Sequence, residues 1–75
     1  VTSNDIPIIY PNPVSDALHI TGVTTKQQYE IRDIWGRRVI TPGRWNGDGL
    51  SLDHLPAGWY YLYLPGKATI PFIKR

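Results

Sequence analysis

The chain has 75 residues, 41 % hydrophobic and 12 % aromatic, with eight Lys or Arg against six Asp or Glu for a formal charge of +2. That length holds a single domain, which buries only about 60–65 % of the surface its unfolded chain exposes, so its core has to be efficient. Modest charge of mixed sign gives no electrostatic case for nucleic acid, the absence of cysteine excludes disulfides and thiolate metal sites, and no apolar run approaches the ~18–20 residues of a membrane-spanning helix.

No stretch repeats apolar residues at helical spacing, and seven Gly and seven Pro punctuate the chain. Short strands separated by turn chemistry remain. Residues 1–5 read as the remnant of a linker to an upstream domain. Methionine is absent even at position 1, which points to a piece of a longer protein; residues 6–75 read as the domain itself. IPIIY (6–10) is extended, and Pro7 assigns it to a sheet edge. Pro11-Asn12-Pro13 is a rigid turn, because each proline fixes φ and Pro13 pushes Asn12 to extended geometry. Ser15 and Asp16 continue that turn. DALHITG then alternates, with Leu18 and Ile20 on one face and His19 and Thr21 on the other.

QYEIRDIWGRRVI reads as two strands joined at Gly36, a position that calls for positive φ. Tyr29, Ile31 and Asp33 share one face, Asp33 bonds locally as the strand turns, and Val39 returns to the core. PGRWNGDG (42–49) reads as loop, since Asn46-Gly47 and Asp48-Gly49 are both turn signals. Leu50 and Leu52 alternate with Ser51 and Asp53. Pro56-Ala57-Gly58 turns the chain into WYYLYL, and Pro65-Gly66-Lys67 turns it into a last strand carrying Pro71. About seven strands at this spacing predict an all-β fold, a small antiparallel β-sandwich of immunoglobulin type.

Four motifs stand in order along the chain: YPNPVSDALHI, YEIRDIWGRRV, LDHLPAGWYYLYL and the closing PFIKR. Together they resemble the C-terminal sorting domain of proteins exported by the type IX secretion system of Bacteroidetes. In that family YPNP leads into an L-x-I strand, followed by D-x-x-G-R-x-V, L-x-x-G-x-Y and a basic-ended strand. The matching positions are Pro11, Asn12, Pro13, Leu18, Ile20, Asp33, Gly36, Arg37, Val39, Leu55, Gly58, Tyr60, Phe72, Lys74 and Arg75. The closing strand departs from the family's lysine-spaced pattern, with Ile70 or Pro71 where a lysine is common.

The resemblance implies an immunoglobulin-like, non-catalytic domain without cofactors. Such a domain addresses a folded cargo in the periplasm to an outer-membrane translocon, for display at the outer-membrane surface or release. It also implies sortase and attachment proteins as partners, and an anionic lipopolysaccharide joined to the parent when the domain is removed; some members keep the domain, and both removal by a cut near residues 1–5 and retention stay open. Placing Gly58 and Tyr60 as in the family turns Tyr60, Leu62 and Leu64 to the core. Trp59, Tyr61 and Tyr63 then form an outward row about 6–7 Å apart, which is either covered by cross-strand neighbours or a contact surface.

Lys67, Lys74 and Arg75, with Phe72 between them, are the candidate recognition residues of the last strand. They are either a positive end that steers docking to an acidic receptor or a solubilising, pairing-resistant terminus. Recognition by pairing of this strand with a partner's sheet edge is expected, as is exchange of a strand between copies to give a homodimer. Arg37, Arg38 and Arg44 could hold an anion but more simply pair with Asp33, Glu30 or Asp48. His19 and His54 are too few for zinc, which needs three or four converging ligands, and strand parity points His19 outward. Ser15, Ser51, Asp16 and Asp53 come without the elbow or oxyanion loop of a nucleophilic site. The alternatives to a sorting signal are a glycan-binding module using Trp59, Tyr61 and Tyr63, and a purely structural sandwich.

Overall fold

The computed structural model describes residues 6–75, with Thr41 and Pro42 described by their backbone alone; the linker remnant and cleavage region read into residues 1–5 lie outside the described residues. Seven strands follow in chain order: β1 (Ile8–Tyr10), β2 (Ala17–Thr21), β3 (Gln28–Asp33), β4 (Arg38–Arg44), β5 (Leu50–Ser51), β6 (Gly58–Leu64) and β7 (Ala68–Lys74). They form two antiparallel sheets, ordered β1-β2-β5 and β4-β3-β6-β7, in the expected all-β, sandwich-like arrangement. Pro7 precedes an edge strand, as its missing N–H requires.

The core follows from period-two alternation. Leu18 and Ile20 of β2, Ile31 of β3 and Leu62 of β6 point inward, joined by Phe72 of β7 and by Leu50, Leu52 and Leu55 around β5. Burial alternates cleanly along β6, with Tyr60, Leu62 and Leu64 inside and Trp59, Tyr61 and Tyr63 outside. Val39 is only half-buried against this core.

The loop read into residues 42–49 is shorter than expected. β4 continues to Arg44, because its register against β3 shifts twice and brings Gly43 opposite Tyr29. Trp45 then exchanges backbone hydrogen bonds with the segment before β3, donating to the Gln27 carbonyl at 2.8 Å and accepting from the Lys26 amide at 2.7 Å. Its indole is buried in the core.

β7 lies at the open side of its sheet, yet much of that edge is closed. Val14 donates to the Ile73 carbonyl (2.8 Å) and accepts from the Arg75 amide (2.8 Å), while Asn12 Oδ1 accepts from the Ile73 amide (3.0 Å). Asn12 thus supplies with its side chain the acceptor that a neighbouring strand would supply with its backbone. Backbone groups alternate in direction along an antiparallel strand, so Pro71 faces the same edge and has no N–H to leave open.

Candidate partner-recognition surface

Most motif residues build the scaffold rather than the surface. Residues 11–13 form the segment that lies along β7; the Tyr10-Pro11 and Asn12-Pro13 peptide bonds are both cis. Asp33 closes the β3–β4 turn: its Oδ1 accepts from the Trp35 and Arg37 amides, both at 2.9 Å, and its Oδ2 from Arg37 Nε at 2.8 Å. Gly36 takes φ +82° in that turn, the conformation that excludes most side chains. Tyr60, at the start of β6, donates from its hydroxyl to the Pro56 carbonyl at 2.7 Å. A tyrosine at the start of a strand bonding back to the preceding corner is a recurrent device of immunoglobulin-type sandwiches, and it explains the spacing L-x-x-G-x-Y.

Burial tends to raise the Asp33 carboxyl's pKa, but hydrogen bonds from the Arg37 amide, the Arg37 guanidinium and the Trp35 amide, with the Arg37 charge, outweigh it and hold it below the usual carboxylate range. A group whose folded pKa is depressed contributes stability above its unfolded value, about 3.9 for Asp, and loses it as pH falls through the folded value. Urea midpoints should therefore drop on acidification below about pH 4. Asp33→Asn should lower the neutral-pH midpoint and flatten that drop.

The last strand does not present the positive end that its sequence suggests. Phe72 is fully buried in the core, stacked against Tyr60 with ring centroids 5.9 Å apart. Lys74 is only 6 % exposed, and its Nζ donates to the Arg75 carbonyl at 2.8 Å. Lys67 and Arg75 are exposed but flank β7 at opposite ends, roughly 26 Å apart at ~3.3 Å per residue. In the folded domain Phe72 and Lys74 are thus buried, unlike Lys67 and Arg75. Edge pairing by β7 likewise requires residues 12–14 to leave first. Lys74→Met should preserve the urea midpoint or raise it, because an apolar chain of similar length replaces a buried charge; a markedly lower midpoint would show that the ammonium holds the strand end.

The exposed chemistry lies on the outer face of the four-stranded sheet. Trp59, Tyr61 and Tyr63 retain 57, 40 and 38 % of their surface, so neighbouring strands do not cover the row. Pro71 and Thr69 of β7 stand opposite Tyr61 and Tyr63. Beside the row, the β3–β4 turn projects Ile34 and Trp35, the latter 74 % exposed. Two open grooves of about 450 and 470 Å³ meet at Asp33 and Ile34. One runs beside Arg32, Tyr61 and Tyr63, and the other between Trp35 and Trp59 over Gly58.

The arginines pair as the sequence suggested: Arg37 with Asp33, and Arg38 with Glu30 at 3.4 Å. Arg32 also pairs with Glu30. Arg44 instead donates to the Lys26 carbonyl at 3.3 Å. Ile34, Trp35 and Arg32 belong to this exposed surface beyond the residues that the sequence motifs mark. The alternation of β3 against a polar Glu30 and Arg32 was the signal available for Arg32, whereas the projection of Trp35 depends on the turn. His19 stacks on Tyr10 (5.2 Å), and the described residues hold no cluster able to bind a metal ion.

A family model described as the secretion system C-terminal sorting domain matches residues 8–74. Searches of curated proteins and of solved structures give no match.

Proposed function

Because the chain belongs to the family of type IX secretion system C-terminal sorting domains, whose role is that of a sorting signal, we propose that an outer-membrane translocon reads residues 6–75 as a folded shape. The observation that carries this reading is the match over residues 8–74, supported by what the motif residues do. Asn12 binds β7, Asp33 and Gly36 set one turn, and Tyr60 fixes another. Those contacts hold one three-dimensional form, which is what a shape-reading partner needs. The domain performs no catalysis and uses no cofactor; its parent crosses the periplasm and reaches the cell surface, where attachment proteins act on it and an anionic lipopolysaccharide replaces it when it is cut away. The strand orders also support the immunoglobulin type, with β3, β6 and β7 sharing a sheet and β4 added at its edge. A strand-exchanged homodimer would re-form the contact between Asn12 and Ile73 across two copies.

The test fuses a folded reporter upstream of residues 1–75 in a host that carries the secretion system. Removing residues 69–75 takes away most of β7, and the reporter should then accumulate in the periplasm. Surface delivery of the shortened fusion at the full-length level would refute the sorting role.

A further inference from the structure

The geometry points to the outer face of the β4-β3-β6-β7 sheet, together with the β3–β4 turn, as a docking surface for an acidic protein segment that carries apolar side chains. This rests on the sorting reading for the partner's place in the cell; the binding chemistry stands on the fold alone. Three arginines meet here, and each makes its ion pair through Nε. Their carboxylate partners lie underneath: the Glu30 side chain is 8 % exposed and that of Asp33 11 %, while Arg32, Arg37 and Arg38 remain 39, 72 and 60 % exposed. Among the described residues no hydrogen bond ties the Nη atoms of these three arginines. The pairs are neutral in sum but sorted by depth, negative beneath and positive outside, so an approaching partner meets guanidinium edges suited to bidentate carboxylates.

The apolar half of the surface sets the rest of the partner's chemistry. Trp35, Trp59, Tyr61 and Ile34 flank the guanidiniums, the combination of aromatic and Arg that dominates protein-binding hot spots. A polysaccharide fits less well, because sugars stack on open ring faces and two of these faces are taken. The Arg32 Cζ lies 5.5 Å from the Tyr63 ring centroid, and the Arg37 Cζ 5.3 Å from that of Trp35. Three half-exposed rings of about 150–250 Å² each with Trp35 and Ile34 give a patch of roughly 400–500 Å², larger than isolated surface residues make. It is smaller than the ~800 Å² per partner of a standard stable interface, which suits a partner that binds and then releases.

The experiment titrates the 75-residue chain with three synthetic decapeptides that share a central Phe-Leu-Phe and are flanked by Glu, Gln or Lys. Indole fluorescence and indole NMR signals report binding, since Trp35 and Trp59 are exposed while Trp45 is buried. The Glu peptide should bind at least tenfold more tightly than the Gln peptide and weaken as salt rises from 50 to 500 mM; the Lys peptide should not bind. Trp35→Ala combined with Trp59→Ala should reduce that affinity at least tenfold with the melting temperature held within a few degrees, and Arg38→Gln should reduce it while leaving both rings in place. Equal binding of the Glu and Lys peptides, no binding at millimolar peptide, or tryptophan-dependent binding of polygalacturonate in place of the Glu peptide would each overturn the assignment. In the reporter fusion the double tryptophan variant should secrete less. Normal secretion of that variant, with secretion still lost on removing residues 69–75, overturns the docking face and leaves the sorting role standing; normal secretion of both overturns the sorting role itself.

Discussion

Phe72→Ala should destabilise the domain by about 3–5 kcal/mol, the usual cost of emptying a fully buried aromatic site. Phe72 has no exposed surface and packs against Tyr60 where β6 and β7 meet. At 0.05–0.15 kcal/mol per residue the described domain has about 4–10 kcal/mol in total, so this one change removes from about a third of its stability to all of it. The urea midpoint of the purified chain measures the loss, and the reporter fusion shows its consequence. Phe72→Leu separates packing from recognition: it keeps most of the buried volume and should cost less than half as much. If Phe72 acts by holding β7 in place, secretion recovers with Leu in proportion to stability. A well-folded Leu variant that is not secreted would show instead that a partner reads the ring itself.

Tyr60→Phe should cost about 0.5–1.5 kcal/mol, because it removes one hydrogen bond to the carbonyl of the exposed Pro56, which water can then reach, while leaving the ring and its packing on Phe72 in place. A lower urea midpoint with an unchanged m-value is the expected signature, since the surface exposed on unfolding stays the same. Tyr60 and Phe72 touch, so the cost of Tyr60→Phe measured in a Phe72→Leu background should differ from its cost in the wild-type chain. An unchanged midpoint for Tyr60→Phe would mean that the corner is held by Leu55, Pro56 and the backbone, with the hydroxyl idle.

How far the sequence reached depended on the range of each interaction. The two faces of β6 were legible because alternation is local: once Tyr60 points inward, Trp59 and Tyr61 cannot. The Asp33 turn was legible for the same reason, as all its partners lie within four residues. Parity also held the answer for Lys74. Phe72 and Lys74 are two apart and share a face, although the charge of a lysine favours the surface. β4 and Trp45 were hidden by Pro42-Gly43, a pair that signals a turn but is tolerated on a strand with an open edge. The acceptor role of Asn12 had no local sign at all, since its partner Ile73 is 61 residues away. The outer face was half legible: its ring row came from alternation, while the depth ordering of its charges exists only once β3 and β4 are side by side.

That long-range contact has a bearing on when the domain becomes a domain. The amide of Ile73 and its acceptor Asn12 are 61 residues apart, and closing so long a stretch of chain costs entropy that a local contact does not. Ile73 follows Asn12 by that whole stretch, so the seam cannot shut until β7 has been made. A product that lacks β7 has the YPNP segment but nothing for it to grip. Closure of the seam therefore reports on the presence of β7, through contacts that no other strand of the described domain supplies.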